Sequence, residues 1–436
     1  MTNAIATQLQ SLINNETELI ELGSADSYWQ EKLDKVVIDS SSPIYLVFPQ
    51  TVEILTAIVR EAQQQQWGIL VCGSGSKLDW GGSLKNIQLV VSTQKCHRLI
   101  EHAVGDLTVT VEAGMKLADL QAQLHLHHQF LPIDPIYPQS ATIGGIIATG
   151  DTGSWRQRYG GIRDMLLGLS FVRADGKIAK AGGRVVKNVA GYDLMKLFTG
   201  SYGTLGIISQ ATFRTYPLPK SSQTLLLTGE SDAIAKATQT IRNSGLTPTA
   251  MDLVSALICD RLNLGKQISV SIRFQTIAES ITQQAEQIEA IARQLNLVVN
   301  SYRDRDELDL WKNISAIARI PDSESSITCK IGIIPSQAVD FLHHLTTITN
   351  NQTLAVIHGG SGIGQLQLSN EDLIVLKKLR SRLQQNNGFL TVLTAPKSVK
   401  EQVDVWGYSG NALKAMQAIK NNFDPQHILN PGRFLV

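Results

Sequence analysis

The sequence predicts an α+β protein of two domains, with a C-terminal segment that returns to the first. Three observations carry this. The 436 residues exceed what one typical hydrophobic core organises. Three glycine-rich stretches punctuate short, apolar, β-rich runs in the first half. Near residue 221 the texture changes to strands alternating with longer amphipathic helices. The expected boundaries are a polar, helix-rich lead-in over 1–35, a first domain over 36–220, a second over 221–395, and the returning segment over 396–436.

In the first domain, Tyr45–Phe48 followed by Pro49 reads as a strand and its stop. Thr51 then caps a helix made amphipathic by Val52, Ile54, Leu55, Ile58 and Val59. The next strand, Gly68–Cys72, ends in the loop Gly73, Ser74, Gly75, Ser76 and Lys77. A dinucleotide fingerprint would need a third glycine opening a helix, and Leu78 follows instead. The loop can still present a nest of bare N–H groups to an anion. Leu89–Val91 and Leu107–Glu112 continue the sheet, a helix follows over 116–125, and Pro132, Pro135 and Pro138 mark an ordered loop.

The second glycine stretch is Ser140–Thr149. Ser140 and Thr142 offer hydroxyls, and Gly144 and Gly145 offer unobstructed N–H groups. Together these can satisfy phosphate oxygens without a cationic side chain, while Ile146 and Ile147 anchor a helix start. The third stretch runs from Gly182 to Ser209, where Gly191, Gly200, Gly203 and Gly206 precede Ile207 and Ile208. Glycine lets backbone lie flat against a ligand, so this reads as a cofactor seat or as a tight turn feeding a buried strand.

With 39 basic and 38 acidic residues the chain has no electrostatic footprint for nucleic acid or an anionic membrane. The opening residues carry neither a basic n-region nor an apolar h-region, and no apolar run is long enough to span a bilayer. The expected location is cytoplasmic, or peripheral to a membrane through a partner. Cys72, Cys96, Cys259 and Cys329 form no C-x-x-C pair, which excludes an iron–sulfur or zinc motif built from this chain alone. His125, His127 and His128 end an amphipathic helix and are not taken as metal ligands. No metal site is expected.

In the second domain, Thr224–Thr228 and Ile268–Phe274 read as strands, and 231–244 and 278–295 as helices. Alternation puts Ile268, Val270, Ile272 and Phe274 on one face, with Ser269, Ser271 and Arg273 on the other. Arg273 is the candidate to face an active cleft and pair with a substrate carboxylate, the alternative being an ordinary solvated strand face. Lys330 poses the same choice, and Trp311 reads as core or cleft wall. A further glycine-rich run, Ala355–Leu368, contains His358.

In order, Gly73–Lys77, Ser140–Thr149, Arg158–Gly168 and Gly182–Ser209 resemble the flavin-binding domain of the vanillyl-alcohol oxidase or p-cresol methylhydroxylase (PCMH) type. More narrowly, Gly183–Leu194 is similar to the FAD-binding E subunits of glycolate oxidase, and the likeness extends to Phe423–Arg433. The resemblance implies a PCMH-type FAD-binding domain, an α+β cap or substrate domain, and a C-terminal segment packing back on the first. It implies that Gly73, Ser74, Gly75, Ser76 and Lys77, with Ser140, Thr142, Ile143, Gly144 and Gly145, hold the FAD pyrophosphate, and that Thr149 also binds the cofactor. Gly203, Gly206, Ile207 and Ile208 would line the adenosine and ribityl portion. Some relatives bond the flavin covalently through histidine or cysteine in the first loop. That loop has neither here, so non-covalent FAD is expected.

Catalytic relatives carry an H-x-G-D-G-N-x-H pattern where this chain keeps only His358. His358 can still act as a base, but the acidic residue and the second histidine are absent. Two functions follow. One is hydride transfer from a 2-hydroxy acid to flavin, with His358 as base and Arg273 as carboxylate clamp. The other is a non-catalytic, FAD-holding accessory or electron-transfer subunit whose paralogous partner does the chemistry. The expected setting is a complex that oxidises glycolate to glyoxylate, with a paralogous flavin subunit and an iron–sulfur subunit as partners. In the tail, Pro431 and Gly432 permit a turn that holds Asn430 near the flavin edge, where its amide serves the ring or a substrate, or merely caps the C-terminus.

Overall fold

The computed structural model describes residues 2–14, 17–39, 43–184, 191–321, 323–349, 352–369 and 372–435. Residues 185–190, within the Gly183–Leu194 motif, lie outside the described residues. The chain divides into two compact units. The first comprises Met1–Thr152, Gly161–Leu218 and Gly410–Val436; the second comprises Gly153–Gly160 and Pro219–Ser409.

Among the described residues the first unit contains a four-stranded sheet ordered Glu18–Glu21, Tyr45–Phe48, Ile87–Ser92 and Gly68–Cys72. The last three strands run parallel, with Leu46 opposite Val90 and Leu70 opposite Val90. Their near-continuous apolar sequence follows from burial on both faces. Tyr45, Val47 and Ile69 pack with Leu55, Ile58 and Val59 of the helix Val52–Gln65, whereas Leu46, Phe48 and Leu70 pack with Trp29 and Leu33. Thr51 accepts from the N–H of Ile54 at 3.4 Å and caps that helix as its sequence position requires. The lead-in is therefore partly core: Leu9, Trp29 and Leu33 are buried, and Glu18–Glu21 is a strand paired with Tyr45–Phe48.

A second, five-stranded antiparallel sheet is ordered Ile178–Gly182, Leu166–Val172, Ile207–Arg214, Thr108–Glu112 and Leu99–Ala103. The C-terminal tail lies along the first sheet: the N–H of Ile69 donates to Ile428 O at 2.7 Å, and that of Asn430 to Ile69 O at 2.8 Å. The helix Leu413–Phe423 precedes it, ending before Pro425 as the pre-proline restriction dictates.

The second unit is built on an eight-stranded antiparallel sheet ordered Val298–Tyr302, Ser221–Thr228, Ser269–Thr276, Ala250–Val254, Thr353–His358, Ile363–Leu368, Ile327–Gly332 and Phe389–Thr394. Ser231–Arg242, Ala278–Gln294, Ala338–Ile348 and Leu373–Gln385 cover one face around Val270, Ile272, Phe274 and Ile357. Ala256–Arg261 and Asp304–Arg319 cover part of the other, around Val254, Leu354 and Val356. This unit continues past residue 395 because Val399 and Val405 enter its core and the N–H of Val392 donates to Val405 O at 2.7 Å.

Candidate functional site

A cavity in the first unit is lined by Val71–Leu78, Trp80, Thr93, Thr142, Gly144, Gly145, Ala148, Thr149, Tyr202, Gly203, Gly206, Ile208, Asn430 and Arg433. All three glycine stretches and the tail thus meet at one place. Ser140, Ile143 and Ile207 do not line it. Ile207 is fully buried in the core beside Val172, since neighbouring strand residues point to opposite faces and Ile208 takes the cavity side. Ile143 is likewise buried away from the cavity, and Ser140 contributes its carbonyl, which accepts from Ser74 Oγ and ties the two loops together.

The glycine loops differ in what they leave open. Among the described residues no protein group accepts from the N–H of Gly73, Ser74, Gly75 or Ser76. Such orphan donors lining a cavity require an acceptor, and a run of them is a nest for an anion. Gly75 sits at φ +77°, the left-handed region glycine tolerates. A Cβ on Gly73 would collide with Thr142 Oγ1, so the first two stretches can cross only at a glycine.

The Ser140–Thr149 loop behaves otherwise than expected. Gly144 N–H donates to Ala113 O at 2.7 Å, and Gly145 N–H donates to Thr142 Oγ1 at 3.3 Å, capping the short helix Ile143–Thr149. These two groups are therefore committed within the protein. The helix nevertheless shapes the cavity wall through Gly144, Gly145, Ala148 and Thr149, and a Cβ on Gly144 would press on Ala113 behind it.

Two cations line the cavity. Lys77 Nζ pairs with Asp151 Oδ2 at 2.9 Å, so its charge is balanced inside the protein. Arg433 was missed in the sequence, although it stands three residues past Asn430. It is 3% exposed, and its Nη1 donates to Leu78 O and Trp80 O, each at 2.6 Å. Burial depresses its pKa to about 10, which leaves it charged at neutral pH. Asn430 lines the cavity and spends one hydrogen bond from each end of its amide within the protein. Its Oδ1 accepts from Val71 N–H at 2.7 Å and its Nδ2 donates to Tyr202 O at 2.6 Å, so it clasps one cavity wall to the other. Burial also pushes the Cys72 thiol up to about 12, so it is held as the neutral, non-nucleophilic form.

In the second unit, His358 and Asp252 stand directly opposite on neighbouring strands. His358 Nδ1 lies 2.8 Å from Asp252 Oδ1, and Asp252 Oδ2 accepts from Ser154 Oγ. The carboxylate fixes the tautomer with the proton on Nδ1, leaving Nε2 as the basic nitrogen. Among the described residues no protein group bonds Nε2. Arg273, the expected carboxylate clamp, shares this face of the sheet and is held from its Nε side by the protein. Its Nε donates to the buried Glu307 at 3.1 Å, and Glu307 also accepts from Ser222 and Thr224. A guanidinium so engaged is a partner for an internal carboxylate first. Among the described residues no cluster of three or more metal-ligating side chains occurs, and no helix is long and apolar enough to cross a membrane.

Residues 43–182 match the FAD binding domain family, and residues 405–434 match the C-terminal domain of the FAD linked oxidases. Glycolate oxidase subunit GlcD of Bacillus subtilis is 27% identical over 420 residues, 90% of this chain and 89% of that protein. A probable mitochondrial D-lactate dehydrogenase of Danio rerio is also 27% identical, over 96% of this chain and 89% of that one. Glycolate oxidase subunit GlcE of Escherichia coli is 36% identical over 169 residues, 38% of this chain and 47% of that protein. Among solved structures, p-cresol methylhydroxylase with substrate bound superposes at a TM-score of 0.74 with 14% identity, over 99% of this chain and 96% of that one. The 4-ethylphenol oxidase of Gulosibacter chungangensis superposes at 0.77 with 16% identity and the same coverage. The fold is the PCMH type, and the cofactor is FAD. The open N–H run, the glycine-lined walls and the buried cation fit a dinucleotide that carries a pyrophosphate.

Proposed function

From a chain that carries the FAD-binding and C-terminal domains of the FAD-linked oxidases on a PCMH-type fold, we propose an oxidoreductase acting on a small 2-hydroxy acid, with glycolate the favoured substrate. The relatives named for glycolate and D-lactate support the class. Gly73–Ser76 would hold the cofactor, Thr142, Thr149, Gly203, Gly206 and Ile208 would shape its seat, and Asn430 would keep the walls together. Non-covalent binding is supported by the lack of histidine in the first loop and by the protonated state of Cys72.

The observation that carries the reading is the His358–Asp252 pair. Bound FAD supplies the acceptor for the hydride leaving the substrate's hydroxyl-bearing carbon. His358 Nε2 takes the hydroxyl proton, Asp252 stabilises the imidazolium that results, and the product is the 2-oxo acid. Ser154 holds Asp252 from its other oxygen. We assign Arg273 to the internal pair with Glu307.

A second reading is favoured by the loss of the acid and second histidine after His358 and by the likeness to GlcE. In it the chain holds FAD within a complex, alongside a paralogous flavin subunit and an iron–sulfur subunit, and the partner turns over substrate. Anaerobic mixing of purified protein with glycolate and with D-lactate separates the two. Bleaching of the flavin band by glycolate, lost in His358→Gln with FAD content unchanged, supports the first. A flavin that stays oxidised in the isolated chain and is reduced only with partners present supports the second.

A further inference from the structure

The Ser140–Thr149 stretch brings no cation to the pyrophosphate, but the cavity it helps to line contains two. Arg433 lies in its wall at 3% exposure, while the other cation there, Lys77, is neutralised by Asp151. Among the described residues no carboxylate comes within ion-pairing distance of Arg433, and Asp79 acts on it only from farther away. Its Nη1 is spent on the carbonyls of Leu78, Trp80 and Gly82. No protein acceptor among the described residues meets its Nε or Nη2. A buried guanidinium with donors to spare is costly unless an anion completes it.

The same wall supplies the N–H groups of Gly73, Ser74, Gly75 and Ser76, none with a protein acceptor among the described residues. Leu78 and Trp80, whose carbonyls hold Arg433, follow that run within five residues, and Arg433 N–H itself donates to Asn430 O at 3.1 Å. Neutral donors and a fixed fork of positive charge therefore open on one cavity. That combination suits a phosphoryl group, since a planar guanidinium bonds phosphate oxygens through parallel N–H groups.

We infer that Arg433 is the cationic ligand of the FAD pyrophosphate, and that its carbonyl contacts aim it at that task. The inference rests on FAD binding by this domain and adds a residue to it. The isoalloxazine ring and the phosphates are distinguishable, because each half of the cofactor can be used alone.

The test uses full-length protein stripped of flavin, with FAD affinity measured by fluorescence quenching and with ADP and riboflavin as competitors. In Arg433→Met, FAD and ADP should bind about 10- to 100-fold more weakly, the loss of one charge-assisted contact, while riboflavin competes as in the parent. Arg433→Lys, which keeps the charge, should recover part of the ADP affinity. Equal weakening of ADP and riboflavin would mean that Arg433 only braces the loop through its carbonyl bonds. Weakening confined to riboflavin would place the charge at the ring, and unchanged FAD affinity would remove it from the site; each overturns the inference. Should Arg433→Met fail to give the circular dichroism of the parent, Arg433→Gln is read in the same way. A parent protein that refuses FAD altogether would overturn the cofactor reading itself.

Discussion

At the residue scale, what a residue offers a ligand depends on which of its polar groups, backbone included, are already taken. Gly145 shows this. Its N–H is used by Thr142, yet a Cβ there would meet only Thr142 Oγ1 within 4 Å, at 3.2 Å. Gly145→Val should therefore fold, fill the cavity and raise the FAD dissociation constant at least about 100-fold, the steric loss of a shaped pocket. Flavin content equal to the parent's would show that this helix does not border the cofactor. Burial governs the thiols too. Cys96 and Cys329, both buried, are pushed from 9.0 up to about 12 by desolvation. Because the folded chain holds these protons more tightly than the unfolded one, stability is full below pH 9 and falls as pH rises toward 12. Urea unfolding under reducing conditions at pH 8, 9 and 10 should show that decline, and Cys329→Ala should flatten it. The heat- or acid-denatured protein should also release intact FAD, since neither Cys72 nor its loop offers a reactive thiolate or imidazole. Yellow colour remaining with the precipitated chain would count against this.

At the element scale, the C-terminal tail joins separate parts of the first unit. Lys420, 2% exposed, donates to Thr204 O at 2.8 Å and Leu429 O at 3.0 Å and pairs with Asp424, which accepts from the N–H groups of Ile428 and Leu429. Asn430 then bridges Val71 and Tyr202. Removing one partner of such a buried pair strands the other, so Lys420→Met should cost about 3–5 kcal/mol of stability. Asn430→Ala leaves a buried N–H and a carbonyl unpaired and should cost about 1–3 kcal/mol and weaken FAD retention. Denaturant midpoints and equilibrium dialysis measure both. A truncated protein lacking 430–436 that binds FAD like the full chain would show that the tail is only a terminus.

At the scale of the whole molecule, two units with separate cores should melt separately. Saturating FAD at 100 times its dissociation constant adds about 2.7 kcal/mol to the state that binds it. Calorimetry should then show one transition that climbs with FAD and one that stays in place. Two transitions rising together would mean that the units unfold as one.

The sequence by itself determined the two-unit α+β plan, most strand and helix positions, and the glycine stretches that meet at the cavity. Those are local properties: period-two and period-3.6 patterning, proline stops and the freedom of glycine act within a few residues. Only the tertiary structure decided which donors remain for a ligand. Gly73–Ser76 keep theirs, whereas Gly144 gives its N–H to Ala113 and Gly145 gives its own to Thr142. Arg273 looked like a clamp on its strand, but Glu307, 34 residues on, takes its Nε. His358 has its tautomer set by Asp252, 106 residues away, through strand register, and Arg433 is aimed by Leu78 from 355 residues away. Hydrogen-bond partners so distant are chosen by sheet register and packing, and no local spacing encodes them.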